Sequence, residues 1–181
     1  MFKKINEIFA EEAKAYERRA KGELRTYAAG ERRRIEAEGG TFSPHTYQRT
    51  FTVTYEKGNY LSVLEEEYGF EGGAFPSAGR CAHTFDLVTG EEAPLHEVLG
   101  LSQEEAEELV EERFTALIDQ EPELYLAGAK EKLTELMDRM DFYLEESDSG
   151  EAQAVVYFPM DTLAPRALGF PQLSLQIQKN S

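Results

Sequence analysis

The chain of 181 residues contains one cysteine, no tryptophan and three histidines. The single cysteine, Cys81, excludes an internal disulfide and any zinc site built from several cysteines. No apolar run approaches the roughly 20 residues that a membrane-spanning helix needs. The first residues, Met1 to Lys4, lead into a charged helical pattern rather than the apolar segment of a signal peptide. We therefore expect no membrane insertion by this segment, and no signal or anchor within it.

The full chain has a formal net charge of −16. Basic residues are scarce in its C-terminal two-thirds. Residues 1–50 hold 11 basic and 8 acidic side chains, whereas residues 51–181 hold 8 basic and 27 acidic ones, a net charge of −19. A surface of this sign repels nucleic acid and attracts cationic partners. An acidic surface also keeps a protein soluble, so charge alone leaves both interpretations open.

Apolar residues recur at three- and four-residue spacing from Ile5 to Ala28. This period predicts a long amphipathic helix over about residues 3–29. Either Gly30 ends that helix, or it continues through the arginines at 32–34 to the glycines at 39–40. We interpret the arginine run as a solvated helix face, because glutamates flank it on both sides.

After Pro44 the period changes from helical to alternating. The β-branched and aromatic residues of 47–55 predict a strand, and Lys57-Gly58-Asn59 is a turn signal. Residues 60–70 are predicted to return as the second strand of a hairpin. A loop with three glycines and one proline follows at 71–79, and a third strand is expected at His83–Val88, before a turn at Thr89-Gly90.

Helices are predicted ahead of the last strands. Ser102 and Glu105 have the spacing of a capping box, so a helix is expected to begin at Ser102. Leu126–Met140 is predicted to be a further helix, with Leu133, Leu136, Met137 and Met140 facing inward. Three closing strands are expected at Phe142–Glu145, Ala154–Phe158 and Leu173–Ile177.

This order of elements predicts an α+β fold, with a long N-terminal helix, a largely antiparallel sheet and a helical insertion between strands. We expect two parts. Residues 1–40 form a helix that packs on the domain, and residues 41–181 form the domain itself.

Residue patterns typical of catalysis are missing. The sequence has no His-Glu-x-x-His pair, no Gly-x-Ser-x-Gly elbow and no phosphate-binding glycine loop. Cys81 and His83 share one face of a predicted strand, but a packed or idle cysteine is the favoured interpretation over a nucleophile. His83 and Asp86 point to opposite faces and are poor direct partners. We expect no catalytic residue, no cofactor and no metal site.

Several short pieces of residues 47–178 match a known family in order and spacing. They resemble the C-terminal extracytoplasmic domain of the lysozyme-sensing anti-sigma factor RsiV, of domain-of-unknown-function family 3298, which also accompanies some polysaccharide deacetylases. The helix at Ile5-Asn6 resembles the end of the segment that usually precedes this domain. The matching pieces are Asn59–Ser62, Tyr68, Glu71–Ala74, Phe85–Gly90, Leu95, Phe158-Pro159, Ala164-Pro165 and Gly169.

The resemblance implies a non-catalytic extracytoplasmic sensor or binding domain, associated with the membrane or cell wall in the full-length protein. In the family, loops of this domain enter the cleft of a c-type lysozyme, which is a cationic protein. The corresponding loops here are Gly73–Gly79 and Pro159–Pro165. The residues expected to contact a partner are Gly73, Phe75, Pro76, Pro159, Met160, Asp161, Leu163 and Pro165.

Two departures and one alternative accompany this resemblance. The family usually carries His at the position of Phe75, and Tyr-Glu at the positions of Met160-Asp161, so the identity of the partner stays open. The alternative is an accessory domain of a cell-wall polysaccharide deacetylase or another glycan-active enzyme. That alternative predicts a cleft with converging carboxylates or aromatic rings beside His83, Asp86 or Asp161.

Overall fold

The computed structural model describes residues 2–177, with side chains from Lys3 onward. It confirms the predicted α+β class, with a long N-terminal helix and two three-stranded antiparallel sheets. Contacts divide the chain into two compact units. The first contains residues up to 50 together with 66–78, and the second contains 51–65 and the chain from 79 onward. The last four residues of the predicted 41–181 domain lie outside the described residues.

The N-terminal helix takes the longer of its two predicted forms. It consists of α1 (Phe2–Arg19), a π-helical turn (Ala20–Leu24) and α2 (Arg25–Ala37). Gly30 does not end it, because alanines and arginines on either side are strong helix formers. The end comes at Gly39, whose φ of 78° closes the helix in the left-handed region.

The arginine run lies on a solvated helix face, as predicted. Arg32 pairs with Glu36 four residues on, at 2.8 Å. Arg34 pairs with Glu31 and Glu38 at 3.0 and 3.1 Å, and the three arginines are exposed. Such pairs support a helix by about 0.2–0.5 kcal/mol each.

The first sheet contains β1 (Thr46–Lys57), β2 (Tyr60–Phe70) and β3 (Ser77–Asp86), in that order. Gly58 has a φ of 59° in the turn between β1 and β2, which confirms the hairpin. The third strand is present, but its predicted bounds were wrong: it begins six residues before His83 and ends at Asp86 instead of Val88. The Asp86 carboxylate accepts a hydrogen bond from the Val88 amide at 2.6 Å, which bends the chain before Val88.

Three α-helices follow: α3 (Leu95–Leu99), α4 (Gln103–Gln120) and α5 (Ala129–Glu135). The predicted capping box is present, since the Ser102 hydroxyl accepts from the Glu105 amide and the Glu105 carboxylate accepts from the Ser102 amide. The helix expected at Leu126–Met140 is shorter than predicted. The Leu126 amide donates instead to the Leu163 carbonyl at 2.9 Å, and the backbone leaves the helical region at Leu136.

The second sheet contains β4 (Asp141–Glu146), β5 (Ala152–Tyr157) and β6 (Gln172–Gln176), paired antiparallel in that order. The sequence suggested one sheet, but the six strands form two. Between the two sheets, side-chain oxygens accept hydrogen bonds from backbone amides, in place of the backbone carbonyls that would join strands of one sheet. The Leu144 amide donates to Ser62 Oγ at 2.9 Å, and the Ala82 amide donates to the Asp141 carboxylate at 2.8 Å.

The apolar core of the second unit lies among α3, α4, α5 and the second sheet. Phe114 and Phe158 meet edge to face at its centre, with ring centroids 4.9 Å apart. Leu133, Leu144 and Leu163 are fully buried in the same cluster. Within residues 2–177, no helix is both long and apolar enough to cross a membrane.

Candidate functional site

The first predicted contact loop joins β2 to β3 within the first unit. Gly72 has a φ of 79°, a backbone conformation that other residues rarely adopt. Gly73 is exposed, with open space where a side chain would begin. Phe75 has 76% of its surface exposed, whereas Pro76 is half-buried. The loop therefore presents one large aromatic ring to solvent.

The base of this loop is held by its neighbours. The Tyr47 hydroxyl donates to the Glu71 carboxylate at 2.7 Å, and the Ser77 hydroxyl donates to the Gly69 carbonyl at 3.3 Å. Burial, together with the bond to Glu71, raises the pKa of Tyr47 to about 12, so this hydroxyl keeps its proton at neutral pH. A Cβ at Gly69 would lie 2.5 Å from Ser77 Oγ, so a larger residue there would displace the Ser77 side chain from this position.

Arg49 fastens the N-terminal helix to the hairpin in the same unit. Its guanidinium lies 3.3 Å from the Glu67 carboxylate and 5.4 Å from the centroid of the Tyr16 ring. It also donates to the Glu12 carbonyl at 3.5 Å. Arg49, on β1, thus contacts both the N-terminal helix and β2. These contacts lie close to the end of β2 from which the loop begins.

The second predicted contact loop, Pro159–Pro165, belongs to the second unit. Asp161 is exposed and has a φ of 63°, a strained value for a residue other than glycine. Its carboxylate accepts a hydrogen bond from Arg166 at 2.8 Å. Pro159 and Met160 are half-buried, and Pro165 is exposed. The loop is therefore tied down by an ion pair across its outer surface.

Leu163 does not have the position that a contact residue needs. It is fully buried in the core of the second unit, and its carbonyl accepts the Leu126 amide at 2.9 Å. Its buried side chain anchors the loop to the core, and the outer face of the loop is formed by Met160, Asp161 and Pro165.

Sequence reasoning missed Leu168, which is 50% exposed in the single 3₁₀ turn (Arg166–Leu168) that follows the loop. The proline before that turn is the signal that could have found it.

A second group of reactive side chains lies on β3, also within the second unit. The exposed Cys81 sulfur is 4.0 Å from His83 Nε2, and His83 Nδ1 is 2.6 Å from the Glu92 carboxylate. Sequence reasoning noted the first pair but missed Glu92. The turn at Thr89-Gly90 brings Glu92 back beside Phe85, and a turn signal after a strand could have indicated this return.

His83 carries a strongly shifted pKa in this group. The hydrogen bond with Cys81 and the one with Glu92 raise the pKa of His83 to about 9, against the opposing effect of burial. Asp86 is not a partner of His83 in this arrangement, since its carboxylate binds the Val88 amide, as expected for a residue on the opposite strand face.

A groove of about 720 Å³ runs between α4 and β6 in the second unit. Its described lining contains neither a carboxylate nor an aromatic ring. An adjoining groove of about 450 Å³ includes Glu105, Glu108 and Glu112, which stand along one helix rather than converging from several elements. Neither groove has the lining that the glycan-enzyme alternative predicts.

No protein-family model matches this chain, and no curated protein sequence matches it. Among solved structures it is similar to a member of the DUF3298 family from Bacteroides fragilis NCTC 9343, with a TM-score of 0.56 and 14% identity. That match covers 94% of this chain and 66% of the other. The chain shares the fold of a DUF3298 family protein.

A DUF3298 family protein from Pseudomonas aeruginosa PAO1 also matches, with a TM-score of 0.45 and 16% identity over 74% of this chain and 58% of that one. This chain thus spans less than two-thirds of either neighbour. At 14% identity the likeness to the Bacteroides fragilis protein concerns the fold alone. The DUF3298 fold agrees with the family resemblance found in the sequence, and the RsiV-like assignment within that family stays a prediction.

Proposed function

We propose that this chain is a non-catalytic extracytoplasmic sensor or binding domain of RsiV-like type, which binds a cationic protein such as a c-type lysozyme. The observation that supports the proposal most is the exposure of the Phe75 ring. This ring is 76% exposed on a glycine loop whose base is fastened by Tyr47, Glu71 and Ser77. An exposed aromatic ring on an ordered base is typical of an interface anchor.

Phe75 supplies the apolar part of such an interface. Burial of its ring removes apolar surface from water, and that contributes about 25 cal/mol per Å². Because the loop base is already ordered, binding costs less conformational entropy than it would for a mobile loop. A ring on a fastened loop therefore fits insertion into a partner's cleft.

The acidic charge supplies steering toward a basic partner. Residues 51–181 carry a net charge of −19, and six glutamates of α4 are among them. A field of this sign raises the rate of encounter with a cationic protein, and the effect weakens as salt screens it. Charge alone would attract any basic protein, so recognition has to come from the loops.

The second loop adds a preformed polar contact. Asp161 is held in its strained conformation by Arg166 and by the buried Leu163 two residues on. Met160, beside it, carries an adaptable thioether side chain that suits varied apolar surfaces. We propose Gly73, Phe75, Pro76, Pro159, Met160, Asp161 and Pro165 as the contact residues, with Leu163 as their support.

Titration of the chain with a c-type lysozyme at about 20 and 150 mM salt, beside cytochrome c as a second cationic protein, tests this proposal. We expect lysozyme to bind at both salt concentrations, more tightly at the lower one. Cytochrome c should bind weakly at low salt and not at the higher. Absence of lysozyme binding at both concentrations, or equal binding of the two proteins, would contradict the proposal.

A further inference from the structure

We infer that Cys81 is a thiol–disulfide exchange site, whose sulfur is activated by His83 and Glu92 to attack a low-molecular-weight disulfide. This role is separate from partner binding by the two loops and does not rest on it. The structure brings together three chemically distinct groups from two segments of the chain. Cys81 and His83 come from β3, and Glu92 comes from the segment that returns after the Thr89-Gly90 turn.

The geometry orients the histidine toward the sulfur. Residues two apart in a strand share one face, so β3 places the side chains of Cys81 and His83 side by side. The Glu92 carboxylate lies 2.6 Å from His83 Nδ1 and accepts a hydrogen bond from the proton on that nitrogen. Nε2 is therefore the nitrogen that faces the sulfur, at 4.0 Å.

The surroundings favour the charged form of His83. Its ring stacks on Phe85 with centroids 6.1 Å apart, and only 13% of the side chain is exposed. A carboxylate oxygen of the buried Glu65 lies within 4.8 Å of a ring nitrogen. The hydrogen bond with Cys81 and the one with Glu92 favour the imidazolium. This positive charge lies 4.0 Å from the sulfur, where it can stabilise the negative charge that the sulfur carries as it attacks. The pKa of about 9 for His83 agrees with this arrangement.

The exchange step balances without any further reactant. The Cys81 thiol gives up its proton to solvent, and the thiolate, beside the His83 imidazolium, attacks one sulfur of a disulfide R–S–S–R. A new bond forms between Cys81 and that sulfur, while the old S–S bond breaks and its electron pair leaves with the second sulfur. The leaving thiolate takes a proton from solvent and departs as R–SH, and His83 stays protonated throughout.

The product persists as a mixed disulfide. Since Cys81 is the one cysteine of the chain, a second internal thiol cannot displace the attached group. Release needs a free thiol from solution. The exposed position of the sulfur leaves room for the attached group on the surface of β3. The site is therefore suited to reversible modification rather than to a structural disulfide.

Reaction with 4,4′-dithiodipyridine at pH 7 measures the rate directly, because the released thiopyridone can come only from Cys81. We expect His83→Gln to react about 10-fold more slowly than the natural chain, and Glu92→Gln about 3-fold more slowly. His96→Gln, a matched change on α3, should leave the rate unchanged. Circular dichroism of each variant establishes that it is folded.

Glu92 is 57% exposed, so Glu92→Gln decides the question if His83→Gln does not fold. Incubation with glutathione disulfide, followed by mass spectrometry, should show one glutathionyl group added to the natural chain and none to Cys81→Ser. Equal rates for the natural chain and the folded variants would overturn the inference, since Cys81 would then react as an ordinary exposed thiol.

Discussion

Glu92 Oε1 lies 2.6 Å from Nδ1 of His83, and the other ring nitrogen faces the sulfur of Cys81. The histidine is thus held between an acceptor and a thiol, with a second carboxylate, from Glu65, within 4.8 Å of the ring. The hydrogen bond with Cys81 and the one with Glu92 raise the pKa of His83 from 6.5 to about 9. A raised histidine pKa links the stability of the fold to pH.

We predict that His83 stabilises the fold at neutral pH and loses this effect in alkali. The folded-state pKa lies above the unfolded one, so the contribution is fully present below about pH 6.5 and is lost as the pH rises through about 9. Its size is at most about 3 kcal/mol. Urea unfolding of the natural chain and of His83→Gln at pH 6, 8 and 10 measures it. The difference between the two should shrink with pH, and a constant difference would contradict the assignment.

Ser62→Ala is predicted to weaken the junction between the two sheets. Ser62 Oγ is fully buried, accepts the Leu144 amide at 2.9 Å and lies 3.0 Å from Thr84 Oγ1. Its loss leaves a buried amide without an acceptor, at a cost of about 1–3 kcal/mol. Ser174→Ala, on the exposed side of β6, should change the free energy of unfolding by less than about 0.5 kcal/mol. Equal effects of the two changes would show that the buried bond is not stabilising.

Elements that are specified by residues close together in the sequence could be predicted from the sequence alone. The capping box at Ser102 and the hairpin around Gly58 depend on residues within a few positions of each other, and both are present as predicted. The division of six strands into two sheets was not predictable in this way. It depends on side chains such as Ser62 and Asp141, which accept from amides far away in the sequence.

The candidate sites show the same distinction. A loop with Gly72, Gly73 and Pro76 is evident from composition, and the structure places Phe75 in solvent there. Leu163 could not be assigned from the sequence, because a leucine in a proline-bracketed loop is compatible with either an exposed or a buried position. The pairing of His83 with Glu92, nine residues apart, likewise depends on how the turn returns.

Leu163→Ala is predicted to destabilise the second unit far more than Leu168→Ala. Leu163 is fully buried, whereas Leu168 is 50% exposed five residues later. Removal of a buried leucine side chain costs about 2–5 kcal/mol, and removal of an exposed one costs less than about 0.5 kcal/mol. Urea unfolding of both variants measures the difference. Similar values for the two would show that Leu163 does not anchor the loop.

Because the backbone at Asp161 is strained, we predict that replacement by asparagine destabilises the fold less than replacement by valine. Its φ of 63° is accessible to aspartate and asparagine but costly for β-branched residues. Asp161→Asn loses only a surface ion pair with Arg166, worth about 0–1 kcal/mol, whereas Asp161→Val should cost about 1–2 kcal/mol more. Thermal unfolding separates the two. A valine variant as stable as the asparagine variant would mean that the loop relaxes to a different conformation.

The most direct test of the binding account is the lysozyme affinity of Phe75→Ala beside that of Val88→Ala. Both side chains are largely exposed, at 76% and 72%, but only Phe75 lies on a proposed contact loop. We predict that Phe75→Ala weakens binding by at least about 2 kcal/mol, or roughly 30-fold, and that Val88→Ala leaves it unchanged. Calorimetric titration at about 150 mM salt gives both values free of most long-range steering. Equal affinity of Phe75→Ala and the natural chain would contradict the account.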